Sequence, residues 1–154
     1  MRSSRILILS LAVLPLLSAP AALAQSALDV NVNQTAPTTC SSGEPVALNG
    51  NLRFGYSFTT DSVTGVNTYH IAVTGDMPGI GQATQTNYAG NASFASDYPT
   101  TASPAQITMQ LKYGLNSQGS VPSLMLNQIV DITVDTAGNI SANVPSSSTT
   151  CSGS

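Results

Sequence analysis

Charge is the scarcest feature of this 154-residue sequence, because charged side chains make up only 7% of it. Ordinary soluble proteins carry roughly 25%. Four Lys and Arg against seven Asp and Glu give a formal net charge of -3. So few positive side chains cannot form the basic surface that neutralises phosphates, which excludes nucleic-acid binding. A cytosolic enzyme with a surface of mixed charges is also a poor match.

Residue types that carry catalysis or hold metals are scarce as well. The sequence has no Trp, a single His at position 70 and two Cys. Any Ser-His-Asp or Cys-His mechanism would need His70, and no G-x-S-x-G motif accompanies it. A metal site needs more ligands than His70 and two cysteines supply. We therefore expect a protein that is not an enzyme, with no cofactor and no metal, in which His70 faces solvent from a strand.

The seven acids form no obvious catalytic or calcium-binding pattern. Asp131 and Asp135 lie four residues apart, which is ~13 Å along a strand. The carboxylate pair of a glycosidase is about 5 to 9.5 Å apart. The loops that begin at Asp61 and Asp135 lack the spacing of an EF-hand. Two acids from different strands, Asp61 or Asp97 among them, stay open as a convergent pair.

The first 24 residues have the three parts of a secretory signal peptide. Arg2 and Arg5 precede an apolar run from Ile6 to Leu17, and Ala22-Leu23-Ala24 forms a small-residue cleavage site. About a dozen apolar residues fall short of the ~20 that span a bilayer. We therefore predict cleavage near Ala24 and a secreted or periplasmic product with no membrane span. It would keep roughly 130 residues and a net charge of about -5.

Two cysteines remain after cleavage, Cys40 and Cys151, near the two ends of the mature chain. Disulfides form outside the reducing cytosol, so we predict that these two are bonded. A metal site and a catalytic redox pair are the weaker alternatives, because the first needs further ligands and the second normally has closely spaced cysteines. A disulfide over so long a loop would contribute about 4 to 5 kcal/mol in the chain-entropy model.

Apolar residues recur with period two through most of the mature chain, which is typical of half-buried strands. The pattern alternates from Val46 to Phe58, again from Tyr69 to Val73, and again from Ala105 to Tyr113. It returns from Leu124 to Val134 and, after the turn Asp135–Asn139, from Ile140 to Val144. No segment has a helical period. The expected fold is all-β, an antiparallel meander of about seven or eight strands that is barrel-like, with a two-sheet sandwich as the alternative.

Four regions follow from this pattern. Residues 1–24 are the signal peptide, 25–45 a flexible N-terminal segment, 46–145 a single β domain, and 146–154 a Ser/Thr-rich tail tied down by Cys151. Within the domain, Gly75–Gly79 is expected to break the chain before a weak strand at 82–88. Residues 89–104, rich in small and polar types and in Pro, are expected to form a connection with at most one short edge strand.

The order of these features resembles an uncharacterised family of small secreted bacterial β-rich proteins with one cysteine pair that joins the two ends. The resemblance rests on Cys40, on Gly43-Glu44-Pro45-Val46, on the stretch 132–142 and on the final Cys151. It implies secretion and one disulfide-linked β domain, and it implies no activity. Relatives of this type carry His in the strand before the last hairpin, where this chain has Gln128 and Asp131, so a metal role does not transfer.

The function expected from the sequence is that of a non-catalytic extracellular or periplasmic module, either structural, adhesive or ligand-binding. A face of Ser, Thr, Asn and Gln can hydrogen-bond without charge, so candidate partners are a glycan, a small apolar ligand or a surface protein. The alternatives are a small outer-membrane barrel or a secreted hydrolase. A filled interior would favour a structural module, and an open cavity a ligand carrier.

Overall fold

A computed structural model describes residues 26–152, so the predicted signal peptide at 1–24 lies outside the described residues. Seven strands form one antiparallel sheet in which every strand pairs with the next in sequence. The strands are β1 (Ser26–Ala36), β2 (Val46–Thr60), β3 (Asn67–Gly81), β4 (Asn87–Thr100), β5 (Ala105–Ser117), β6 (Leu124–Val134) and β7 (Ile140–Cys151). The sheet curls into a nearly closed barrel. The predicted all-β meander is confirmed.

Alternation of apolar and polar residues decides which face of each strand is buried. In β5, Ile107, Met109 and Leu111 are buried, and the residues between them are exposed. The inward faces of the strands meet in one apolar cluster that fills the interior. Over residues 26–152, no helix has the length and apolar character needed to cross a membrane.

The two ends of the barrel are built differently, and we name them by their contents. The closed end contains Cys40, Cys151 and the connection 82–86. The mouth contains the connections 61–66, 101–104 and 135–139. Near the closed end, the segment just after β1 is joined to β7 by a parallel bridge from Thr38 to Thr149. Here Thr149 N donates to Pro37 O at 2.8 Å, and Thr39 N donates to Thr149 O at 2.9 Å.

A buried polar network supports this closure where β1 meets β7. Tyr113 Oη donates to Gln128 Oε1 at 2.5 Å, and Gln128 Nε2 donates to Ser147 Oγ at 3.0 Å. Gln34 Nε2 of β1 also donates to Ser147 Oγ. Gln128 is fully buried, and a buried amide is tolerated only when its hydrogen-bonding groups are satisfied. Side chains therefore join β1 to β7 beyond the short backbone bridge.

The barrel is incompletely closed between β4 and β5. Their backbone pairing covers three residue pairs next to the closed end, from Tyr88 with Ser117 to Gly90 with Leu115. Beyond Gly90, the described part of β4 pairs only with β3. Among the inward residues of this stretch, Ala92 is buried, but Phe94 and Tyr98 are only half-buried. The two strands therefore separate toward the mouth.

The sheet extends beyond the predicted domain 46–145 at both ends. The stretch 26–36, assigned to a flexible segment, is β1, and it pairs with β2 along its whole length. Leu28, Val30 and Val32 supply the inward alternation that this strand needs. Residues 146–151, assigned to the tail, belong to β7 and pair with β6 after a register shift between Ile129 and Asp131. Such a bulge lets the strand continue past Pro145, which has no amide hydrogen for the ladder.

The predicted break at Gly75–Gly79 and the predicted connection at 89–104 are both strand in the structure. β3 continues to Gly81 because glycine lets its backbone approach β2. A Cβ on Gly75 would lie 2.1 Å from Asn51 O. β4, made mostly of small residues, is held by pairing with β3 from Asn87 to Thr100. The tertiary partner thus overrides a weak local preference for strand.

Candidate functional site at the barrel mouth

A cavity of about 380 Å³ lies at the mouth, between the β2–β3 side of the barrel and the connection from β6 to β7. It is lined by Tyr56, Phe58, Asn67, Tyr69, Ser103 and residues 134–138. Cavities at the mouths of β-barrels that combine aromatic walls with a few polar groups are common ligand sites.

Register aligns three inward-facing rings in a row, and two of them, Phe58 and Tyr69, contribute to an aromatic wall of this cavity. Phe58 of β2 is paired with Tyr69 of β3, and Tyr69 is paired with Tyr98 of β4. The ring centroids of Phe58 and Tyr69 are 5.7 Å apart, with the planes tilted by 38°. Phe58 and Tyr98 are half-buried, whereas Tyr69 is buried. Part of the aromatic surface at the mouth therefore remains accessible.

The opposite wall is the hairpin connection 135–139, which Asp135 holds in shape. Its Oδ1 accepts the backbone N–H groups of Ala137 and Asn139, each at 2.8 Å, and its Oδ2 accepts Asn139 Nδ2 at 2.8 Å. Gly138 has a φ of 84°, a conformation that glycine adopts without strain. The hydrogen bonds from the side chain and backbone of Asn139 lower the pKa of Asp135, so this carboxylate is ionised near neutral pH.

Tyr56 connects the two walls. Its inward-facing ring comes from β2, and its hydroxyl donates to the carbonyl oxygen of Gly138 in the opposite connection. This hydrogen bond fixes the position of the connection 135–139 even when no ligand is bound. Pre-formed walls lower the ordering cost of binding.

Neutral polar groups and the absence of positive charge complete the mouth. Asn67 Oδ1 accepts Thr60 Oγ1 at 2.6 Å, so the amide N–H groups of Asn67 are its remaining donors toward a ligand. Neither positive side chain of the described residues, Arg53 or Lys112, lines the cavity. Arg53 instead lies 3.7 Å from Asp29 on the outer face. The mouth is therefore negative and poorly suited to an anionic ligand.

A larger hollow of about 480 Å³ lies outside the barrel across β5, β6 and β7. Its outward-facing lining is polar: Gln106, Thr108, Asp131, Thr133, Ser141 and Asn143. Thr108 Oγ1 donates to Asp131 Oδ1 at 2.7 Å, so its one carboxylate already has a partner. No aromatic residue lines it. The mouth offers a ligand more apolar surface than this hollow does.

The predicted disulfide is present at the closed end. The sulfur atoms of Cys40 and Cys151 are 2.08 Å apart, and their Cα atoms are 4.8 Å apart. The metal alternative for these two cysteines therefore falls away, because bonded sulfur atoms are not thiolate ligands. The bond ties the segment that follows β1 to the end of β7, at the same end as the parallel bridge.

Glu44 fastens the connection between β3 and β4 at this same end. Its Oε2 accepts the backbone N–H groups of Ala83 at 2.7 Å and Thr84 at 2.9 Å, and its Oε1 accepts Thr84 Oγ1 at 2.5 Å. Tyr88 Oη also donates to Oε1, at 3.4 Å. Burial raises the pKa of Glu44, but these hydrogen bonds outweigh burial and hold the pKa below its usual value. The charged carboxylate thus has a structural role, because it anchors the connection 82–86.

His70 lies on the outer face of β3, with its side chain 41% exposed. Its Nδ1 is 2.7 Å from Asp97 Oδ1, and its Nε2 is 3.4 Å from Thr59 Oγ1. The register of β3 with β4 places Asp97 directly opposite His70, a contact that the sequence pattern did not predict. Asp131 and Asp135 are engaged with separate partners, Thr108 and the 135–139 connection. The described residues contain no cluster of His, Cys, Asp and Glu that could hold a metal ion.

Sequence reasoning did not find the aromatic mouth. Alternation predicted that Phe58 and Tyr69 face inward, and this was the available signal. Their alignment with Tyr98 requires the register of two strand pairs. Comparisons with protein-family models, with curated proteins and with solved structures found no match to this chain.

Proposed function

We propose that this protein is a non-catalytic extracytoplasmic module that binds a ligand at the barrel mouth. The observation that carries the proposal is the 380 Å³ cavity between the aromatic residues of β2 and β3 and the connection 135–139. It combines ring surfaces with neutral hydrogen-bonding groups and a fixed geometry. These are the features by which small-ligand sites gain affinity and orientation.

The packed interior favours binding at the surface over enclosure. The apolar faces of the strands fill the barrel, so a ligand is not expected to be carried inside it. At the mouth, the barrel leaves the aromatic side chains of Phe58 and Tyr98 half-buried. We therefore favour a binding or adhesive module over an internal carrier.

A location outside the cytoplasm is supported by two independent features of the chain. Residues 1–24 have the organisation of a signal peptide. The Cys40–Cys151 disulfide is of the kind that persists in oxidising compartments. Expression with the native leader, followed by fractionation and mass measurement of the product, tests this part. We expect a mature chain that begins near Gln25, and a cytoplasmic product of full length would contradict it.

The assignment as non-catalytic is supported by the position of the single histidine. A nucleophile-histidine-carboxylate row works best where water is excluded and oxyanion donors are fixed. The row Thr59, His70, Asp97 instead lies on the exposed outer face and outside the mouth cavity. We expect His70→Ala to leave ligand binding and stability unchanged within about 0.5 kcal/mol, as for most exposed ion pairs. Loss of a measurable hydrolytic activity in this variant would support an enzyme instead.

Ligand screening by backbone amide NMR tests the site itself. A library of glycans, small apolar compounds and amines is added to the labelled mature protein, and shifted resonances are mapped onto the sequence. We expect shifts to concentrate at 56–58, 67–69 and 134–138. The matched control replaces Thr108 and Gln106 by Ala in the outer hollow, which should not alter them. Shifts confined to the outer hollow, or to no region, would refute the proposal.

A further inference from the structure

Resting on the proposed function, we infer that the ligand of the mouth is a small organic cation of the alkylammonium class, held by aromatic rings and the Asp135 carboxylate. This choice excludes an anionic ligand and distinguishes the site from one for a neutral sugar. Its support comes from the composition of the two walls and from where the charged side chains of the described chain lie.

The aromatic wall provides the first contact that such a cation needs. Tyr56, Phe58 and Tyr69 all line the cavity, and Tyr98 continues the row in β4. The face of an aromatic ring attracts a cation electrostatically, by about 0.5 to 1 kcal/mol at exposed sites and ~2 kcal/mol where water is excluded. Several rings around one space are the arrangement by which proteins recognise quaternary ammonium groups.

The opposite wall supplies negative charge. Asp135 lines the cavity, and its hydrogen bonds come from neutral N–H groups of its own connection. These donors orient the carboxylate without cancelling its charge. Asp61 belongs to another connection at the mouth and accepts the N–H groups of Val63 at 2.8 Å and Thr64 at 3.2 Å. Backbone hydrogen bonds lower the pKa of Asp61, so both carboxylates are ionised near neutral pH.

The positive side chains of the described chain are placed where they do not offset this charge. Arg53 faces outward from the middle of β2 and is paired with Asp29, and Lys112 is exposed on β5 toward the closed end. The net charge of the mature chain is also negative. An approaching cation therefore gains from both the local carboxylate and the overall field. A neutral sugar would gain from neither.

A pair of matched probes tests the charge requirement directly. Choline and 3,3-dimethylbutan-1-ol have nearly the same shape, but only choline is charged. Each is titrated into the full mature protein at low salt and followed by amide NMR at the mouth. We expect choline to bind about 3- to 30-fold more tightly than the alcohol, the range that cation–π and carboxylate contacts supply. Its affinity should also fall as salt is raised, because salt screens exposed charges.

Two variants then test whether the Asp135 carboxylate is the charge that attracts the cation. Asp135→Asn keeps a side-chain oxygen to accept the N–H groups of the connection and removes the negative charge. We expect it to weaken choline about threefold or more, and to weaken choline more than it weakens the alcohol. Asp131→Asn is the control, since it removes the same charge from the outer face and should leave both probes unchanged. The salt dependence of the unaltered protein gives an answer that does not rely on the folding of any variant.

The outcomes separate this inference from the proposed function. Equal binding of choline and the alcohol at the mouth would overturn the cation assignment and leave a ligand site for apolar groups. Binding of a glucose oligosaccharide at the mouth, with no binding of choline, would overturn it in favour of a glycan. If no probe or library compound shifts mouth residues, the proposed function fails as well. Selective, salt-sensitive binding of choline that Asp135→Asn weakens would support it.

Discussion

The closed end and the mouth of this barrel are formed by the same strands, but they differ in how strongly those strands are cross-linked. At the closed end, the Cys40–Cys151 disulfide, the Thr38–Thr149 bridge and the Glu44 carboxylate each join segments distant in sequence. At the mouth, β4 and β5 have separated, and a single tyrosine hydroxyl joins two walls that expose parts of aromatic rings. The difference indicates that cross-links concentrated at one end let the other end remain open for binding.

The largest effect on stability is expected from removal of the Cys40–Cys151 disulfide at the closed end. Reduction of the disulfide, or replacement of both cysteines by Ser, should lower the free energy of unfolding by about 4 to 5 kcal/mol, because the unfolded chain loses the constraint of a long closed loop. Chemical denaturation of the oxidised and reduced forms measures this difference. If the closed end is the main source of stability, amide exchange should rise there first upon reduction. An unchanged denaturation midpoint would contradict the idea that the disulfide stabilises the closed end.

The next largest effect is expected in the buried network at the closed end. Gln128→Ala leaves the Tyr113 hydroxyl without its acceptor, removes one of the two side-chain donors to Ser147 Oγ and creates a cavity, which should cost about 2 to 4 kcal/mol. Asn127→Ala, on the outward face of the same strand, is the matched control and should change stability by less than about 0.5 kcal/mol. Equal effects of the two changes in urea unfolding would mean that the network does not hold β1 against β7.

Glu44 makes the closed end sensitive to acid. The pKa of Glu44 is lowered in the folded state, so its contribution is fully present above the unfolded value near 4.5 and is lost as pH falls through the folded value. Glu44→Gln should cost about 1 to 2 kcal/mol at pH 7, since an amide replaces a charge-assisted acceptor. The variant should also show a weaker decline between pH 5 and 3 than the unaltered protein. Parallel pH profiles of unfolding for the two proteins would contradict this role.

The smallest effect is predicted at the mouth. Tyr56→Phe removes only the hydrogen bond to Gly138 and should lower the free energy of unfolding by about 1 kcal/mol. Because this bond holds the 135–139 connection, amide hydrogen exchange of that connection should increase while the closed end keeps its protection. A loss of stability as large as that of Gln128→Ala would show that the mouth is as tightly constrained as the closed end. The proposed difference between the two ends would then be wrong.

Much of the barrel was predictable from local pattern. The strands corresponding to β2, β5 and β6 follow the period of two, and their inward faces are the ones that alternation selects. The turn at 135–139 was predicted, and Gly138 in it has the positive φ that suits a tight hairpin. The disulfide followed from the number and placement of cysteines. These features depend on neighbouring residues or on counting, so one sequence suffices for them.

The prediction was wrong where a strand has a weak pattern of its own. β4 consists mainly of Ala, Ser, Asn and Gly, and its place in the sheet depends on β3. β1 has only three clear apolar alternations, and the stretch 146–151 of β7 is made of Ser, Thr and Cys. In each case pairing with a neighbouring strand decides the structure, and that partner lies far away in sequence or beyond a turn.

By itself, the sequence determined an all-β meander, its buried faces and the cysteine pair that spans it. Only the tertiary structure decided that one end is closed and the other open, that Phe58, Tyr69 and Tyr98 form one row, and that Asp97 meets His70. The physical reason is that the direction of a side chain on a strand repeats every two residues and is therefore local. Register between strands depends on contacts made across the whole barrel, and the mouth is a product of that register.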